Sequence, residues 1–204
     1  MTTAENNQSA ETVLALASVN GILRPADLRD TGIARTVLQR LVQAGLLVKH
    51  GRGLYALADA DLGEHTSLAA VARRVPHGVI CLLSALRFHG MTTENPFEVW
   101  LAIDRKARRP SASGTQLHIV RFAAKLLTNG VAPHNIDGVS VRVTSPARTV
   151  ADCFRYRAKI GQDVALGALR SYIQDRKGSM DELWQAAVDC RVANVMRPYL
   201  EAMS

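Results

Sequence analysis

The chain is short of cysteine, of long apolar runs and of compact catalytic signatures, and each shortage removes a class of function. Its three cysteines, Cys81, Cys153 and Cys190, are odd in number, widely spaced and without a C-x-x-C pair. Neither a disulfide framework nor a cysteine zinc site is indicated, and each thiol falls on an apolar stretch where it serves as a small buried hydrophobe. No apolar run approaches the roughly 20 residues that span a bilayer. The longest, Val79 to Leu86, carries Ser84 and ends at Arg87. Met1 to Thr12 contain Glu5 and Glu11 but no lysine or arginine, unlike a secretory signal. A cytoplasmic chain with no membrane partner is expected. The motifs G-x-x-x-x-G-K-[ST], G-x-S-x-G and H-E-x-x-H are missing. His50, His65, His77, His89, His118 and His134 are scattered, none with a partner at metal-ligand spacing. No catalytic residue, metal or cofactor is expected, and the chain reads as a non-enzyme.

What is abundant is positive charge. The 204 residues carry 25 Lys+Arg against 18 Asp+Glu, a net +7. Residues 63–204 hold the whole surplus; residues 1–62 balance at zero. That zero hides an asymmetry, because Glu5, Glu11, Asp59 and Asp61 lie outside the stretch Asn20 to Leu57. Within it, Arg24, Arg29, Arg35, Arg40, Lys49 and Arg52 face only Asp27 and Asp30. A surplus of this kind suggests a polyanionic partner.

The order of elements sharpens that reading. A polar tail leads to a helix at about Ala10–Val19, closed by Asn20-Gly21. Pro25 opens a short helix to Asp30, and Thr31-Gly32 is a turn. A third helix covers about Ile33–Ala44 and stops at Gly45. Ile33, Val37, Leu41 and Ala44 make its apolar stripe, widened by Ala34 and Leu38. Two short strands, Leu46–Lys49 and Leu54–Leu57, then flank His50-Gly51-Arg52-Gly53. Helix, short helix, turn, helix and hairpin is the order of a winged helix-turn-helix. On the third helix Arg35, Thr36, Gln39 and Gln43 fall opposite the stripe, with Arg40 at its border. Such a helix fits the major groove, where arginine pairs with guanine and glutamine with adenine. Lys49, His50 and Arg52 at the hairpin would reach the adjacent backbone or minor groove. Double-stranded DNA is the expected partner of residues 1–62.

After a connector at Ala58–Glu64 the pattern becomes helices at about Ser67–Val75 and Val79–Phe88, then strands at Phe97–Ile103, Leu117–Phe122 and Val139–Val143, then three or four helices. The whole is therefore α+β: a winged helix-turn-helix over 1–62 and a larger α/β layered domain over 63–204. Three features stand out in the second domain. Arg105, Lys106, Arg108 and Arg109 crowd one loop that runs into Ser111-Ala112-Ser113-Gly114. A helix opens at Ser145-Pro146, with a good N-cap and N1 residue. Its Arg148 and Asp152, four apart, can pair in an ion network on the helix surface, and Arg155, Tyr156, Arg157 and Lys159 make a basic end. Finally, Asp104 and Lys106 with Glu94 and Glu98 upstream mimic the acids and lysine of some Mg²⁺-dependent nucleases. That match is short, and it keeps a nuclease open only as a rival reading.

Several segments are similar to the AbiEi family of bacterial antitoxins. They are Gly78–Thr93, Glu98–Ile103 with the Arg105–Pro110 loop, Ser145–Arg157 with Lys159-Ile160-Gly161, and Val195–Glu201. The resemblance implies a type IV toxin–antitoxin system acting in abortive infection and phage defence. It implies a winged helix that represses its own operon at inverted repeats in promoter DNA. It also implies a C-terminal domain that neutralises an AbiEii-type, nucleotidyltransferase-like toxin without required direct contact. Arg105, Lys106, Arg108, Arg109, Arg148, Arg155, Arg157 and Lys159 are then the candidate antitoxin surface. Arg148 departs from the family, where lysine is frequent at that position. An orphan winged-helix regulator is the other reading.

Overall fold

A computed structural model describes residues 3–20, 23–49, 53–58, 65–94, 96, 98–110 and 116–203. The architecture is mixed α+β, with eight α-helices and two sheets among the described residues. The described residues up to Pro76, with His134–Val141, form one compact unit; those of His77–Pro110, Leu117–Pro133 and Arg142–Ser204 form the other.

The first unit opens with α1 (Thr3–Asn20), a 3-10 turn over Pro25–Thr31 and α2 (Thr36–Gln43). It continues with β1 (Leu47–Lys49), β2 (Tyr55–Leu57) and α3 (Thr66–Arg74). Val13 and Ala17 of α1, Leu28 of the 3-10 turn, Val37, Leu38 and Leu41 of α2, and Leu47 and Tyr55 of the hairpin share one apolar core. Gly32 takes φ +69°, the left-handed turn that lets the chain enter α2. That helix is shorter than its apolar pattern suggests. Val37 and Leu38 donate to the Ala34 and Arg35 carbonyls three residues back, so Ile33–Arg35 form an entry turn rather than helix. Ala34 and Ala44, expected on the buried stripe, are exposed for the same reason: both lie beyond the regular turns. β1 and β2 pair antiparallel, Leu47 opposite Leu57 and Lys49 opposite Tyr55. Leu23 adds a third rung, donating to and accepting from Tyr55 at 2.7 and 3.0 Å. The hairpin tip His50-Gly51-Arg52 and most of the connector, residues 59–64, lie outside the described residues.

The rest of the chain contains β3 (Val79–Ile80), α4 (Leu82–Phe88), β4 (Val99–Asp104), β5 (Leu117–Phe122), β6 (Val131–Ile136) and β7 (Val139–Thr144). Four helices close it: α5 (Pro146–Ile160), α6 (Gln162–Gln174), α7 (Met180–Asp189) and α8 (Ala193–Met203). The sheet order is β5-β4-β3-β7-β6; β3 runs antiparallel to β4 and parallel to β7, and β4 runs parallel to β5. The apolar run from Val79, expected as one helix, is thus split. Its first two residues form a fully buried central strand, where side chains on both faces are apolar and alternation disappears. β6 was not expected either.

α5 is the hub of the second unit. Ser145 caps it by accepting from the Arg148 N–H at 3.3 Å, and Pro146 occupies its first position. Behind that cap Arg148 is 1% exposed and Asp152 0%, so the pair expected on the helix surface is instead core. Arg148 Nε donates to Asp152 Oδ2 at 3.0 Å and Nη1 donates to the Asn129 carbonyl at 2.7 Å. Its guanidinium stands 5.3 Å from the Phe122 ring centroid, and the Cys190 thiol donates to Asp152 Oδ1 at 3.5 Å. Next to it Gly130 has φ +63°, and a Cβ there would lie 2.9 Å from Arg148 Cβ, so only glycine fits. Burial pushes the Asp152 carboxyl up from its usual range, against the opposing charge of Arg148. The three thiols are buried and free, with burial raising Cys81 and Cys153 well above the usual range and Cys190 to about 12.

Removing one partner of such a pair strands a buried charge, whereas removing both does not. Arg148→Met is therefore expected to cost about 3 to 5 kcal/mol in denaturant unfolding, and Arg148→Met with Asp152→Leu to recover most of it. Equal losses in the single and double variants would contradict a coupled pair.

Candidate nucleic-acid interface

The winged helix presents its two faces as separate chemistries. Val37, Leu38 and Leu41 turn inward, which leaves Thr36, Gln39 and Gln43 exposed, with Arg40 half-buried at the border. Arg35 is exposed and stands one residue before the helix, as its N-cap. Thr36–Gln43 contains no acid. Arg35, Thr36 and Gln39 thus sit at the N-terminal half, the part of a recognition helix that meets base edges in a helix-turn-helix. Lys49 is exposed at the end of β1, and Arg52 lies outside the described residues. Leu46, just before this strand, and Val48, within it, are 47% and 44% exposed.

One acid in this stretch is neutralised. Asp27 accepts from the Arg24 backbone N–H at 2.8 Å and from its Nη2 at 3.1 Å, with Arg73 Nη2 at 3.5 Å. Arg24 also donates to the Arg73 carbonyl at 2.6 Å, tying α3 to the start of the 3-10 turn. Arg24 is thereby a structural brace, a role its sequence position did not reveal.

In the second unit the expected basic surface separates into exposed and structural members. Arg105, Lys106, Arg108 and Arg109 are all exposed. Arg148 is not on a surface at all, because its charge is compensated inside the core. Arg155 is half-buried and donates to the Cys190 carbonyl at 2.8 Å; Arg157 donates to the Phe154 carbonyl of its own helix at 2.8 Å. Lys159 is exposed, 5.8 Å from the Tyr156 ring centroid. Arg121 organises the loop: its Nη1 donates to the carbonyls of Asp104, Arg105 and Ala107 at 3.1, 2.8 and 2.9 Å. Only the strand position of Arg121 was visible in the sequence; its cross-strand reach was not.

The nuclease constellation does not assemble. Glu98 bonds His118 Nδ1 at 3.1 Å, Asp104 accepts from the Lys106 N–H at 2.8 Å, and Glu94 packs into a local turn with Thr92. Among the described residues no three His, Cys, Asp or Glu side chains are grouped to hold a metal. No described helix is long and apolar enough to cross a membrane.

Comparison with known proteins places the N-terminal segment. Residues 11–58 match the family described as "Transcriptional regulator, AbiEi antitoxin". This segment is similar to the AbiEi antitoxin family. The match runs from α1 to the end of the hairpin and does not extend to the segments beyond residue 58. Among curated proteins none matches the chain. In fold it is similar to the crystal structure of RV2827C protein from Mycobacterium tuberculosis, at 15% identity and a TM-score of 0.56, covering 88% of this chain and 71% of that one. At that identity the likeness shows the fold alone.

Arg121→Gln removes the three bonds that gather the basic loop. Amide hydrogen exchange over residues 104–109 is expected to speed up while the rest of the sheet keeps its protection. Unchanged exchange in that segment would mean that the loop holds its own shape.

Proposed function

We propose that the protein is a non-enzymatic antitoxin and autorepressor of a type IV toxin–antitoxin system. The AbiEi-type segment binds inverted repeats in its own promoter, and the second domain neutralises a nucleotidyltransferase-like toxin of the AbiEii kind. One observation supports the reading: the family match at 11–58 contains α2, which with its N-cap exposes Arg35, Thr36, Gln39 and Gln43 without an acid among them. A repressor of chromosomal promoters works in the cytoplasm. Residues 1–62 carry the duplex recognition in this account, and 63–204 the protection against the toxin, so the two activities are separable by mutation.

Within the interface the residues divide by role. Arg35 and Gln39 read bases, while Lys49 and Arg52 contact phosphates. In binding assays on promoter DNA and on random duplex, Arg35→Ala and Gln39→Ala are expected to lower the specific-to-random preference, by about 1 to 3 kcal/mol for a lost bidentate base contact. Lys49→Ala weakens both duplexes alike and flattens the salt dependence by about 0.9 in the log–log slope. If all three variants lose the same affinity on both DNAs, the division is wrong.

Neutralisation is tested by co-expressing the chain with the product of the adjacent gene. Relief of growth arrest, retained by Arg35→Ala, is the expected result. Failure to relieve toxicity together with intact promoter repression would favour an orphan regulator.

A further inference from the structure

The second unit holds a cleft of about 330 Å³ that the duplex-binding reading leaves unused. It is lined by Trp100, His118, Val120 and Arg121 from β4 and β5 and by Tyr156 and Lys159 from α5. The imidazole of His118 lies flat on the Trp100 indole, with centroids 3.7 Å apart and planes 18° from parallel. Trp100 is 8% exposed and serves as the fixed lower plate. Its backbone N–H donates to Ser84 Oγ at 2.9 Å and its carbonyl accepts from the Cys81 N–H at 3.0 Å. The upper plate, His118, has a side chain 42% exposed and is held by Glu98 at 3.1 Å. Across the same cleft the Tyr156 ring is half-buried, with Lys159 Nζ 5.8 Å from its centroid.

Charge surrounds these rings. Arg121 lines the cleft and also gathers the carbonyls of the loop that carries Arg105 and Lys106, so ring platform and basic loop are continuous. Asp104, the acid of that loop, has Oδ1 engaged by the Lys106 N–H. Aromatic platforms beside a cationic track bind unpaired nucleotides: rings stack on bases, and lysine and arginine follow the phosphates. A paired base offers no open face to stack. We propose that this cleft binds single-stranded nucleic acid, with a base stacked on His118 over Trp100 and the adjoining phosphates against Lys159, Arg121 and the Arg105–Arg109 loop. The site is distinct from the winged helix and takes a different ligand, an unpaired strand rather than a duplex.

The test uses the full chain with Trp184→Phe, so that emission reports Trp100, and fluorescein-labelled or unlabelled oligonucleotides of about 12 nucleotides, within the span such grooves track. Single-stranded RNA and DNA are compared with duplex of the same length. The expected result is binding of single strands with quenching of Trp100 emission, the RNA and DNA arms showing which sugar is preferred. His118→Ala is expected to weaken single-strand binding about tenfold, the scale of one lost stacking contact, and His118→Phe to restore it to within about twofold. Neither variant changes promoter-duplex affinity, which separates failure here from failure of the winged-helix reading. Unaltered single-strand affinity in His118→Ala overturns the proposal. So does binding without Trp100 quenching that disappears only when Arg105, Arg108 and Arg109 are reversed to glutamate, since that describes a charged loop and no base site.

Discussion

The second unit depends on one buried ion pair. Arg148 and Asp152 lie on a single face of α5, and between them they touch the Asn129 carbonyl, the Phe122 ring and the Cys190 thiol. Strand β5, the turn before β6 and the end of α7 are therefore referred to the same two side chains. A guanidinium in the core costs several kcal/mol of desolvation; here Asp152 compensates its charge and Nε and Nη1 are hydrogen-bonded, while Nη2 is buried without a hydrogen-bond partner. Burial raises the Asp152 carboxyl while the charge of Arg148 lowers it, so the two effects oppose each other at this pair. Gly130 is part of the same constraint, because a side chain there would push directly against Arg148. Lysine has neither the flat face to stand over Phe122 nor the fork to reach Asn129 and Asp152 together.

Fixing the first half of α5 also fixes its second half. Tyr156 follows Asp152 by one turn, and Lys159 follows Tyr156, so the cleft beside β5 is set by the core pair two turns away. Charge along this helix changes its use with depth: Arg148 is compensated inside, Arg155 and Arg157 bind carbonyls, and Lys159 remains exposed. Positive charge in the first unit is sorted in the same manner. Arg24 is drawn into the Asp27 cluster, while Arg35 and Lys49 stay exposed beside the acid-free face of α2. A net charge of +7 is thus a poor count of what faces a ligand, since part of it holds the fold together.

The winged helix was legible because its signals are local: a 3.6-residue apolar stripe, a proline at a first turn, a glycine at a left-handed turn, and two strands around a glycine-rich tip. The layered α+β class was legible too, from blocks of helix, strand and helix. What escaped were features set by distant neighbours. β3 is two residues long, and a short apolar run looks the same in a buried strand as in a helix. β6 contains Pro133, which argues against a central strand but is tolerated on the sheet edge that β6 occupies. The Asp137-Gly138 pair after it, both at positive φ, was the available hairpin signal. Spacing showed that Arg148 and Asp152 could pair, yet not that the pair would be buried, because the ring and carbonyl that complete it come from 19 or more residues away in sequence. The stacked Trp100 and His118 likewise meet only through the β4–β5 register.

In the proposed function, α2 enters the major groove of the protein's own promoter. Dimethyl sulfate probing reports this directly, because it methylates guanine N7, the atom an arginine would cover in that groove. Protection of guanines in both halves of an inverted repeat is expected, with one guanine per half regaining reactivity when Arg35 becomes alanine. Guanine N7 atoms that stay fully reactive under saturating protein would contradict it.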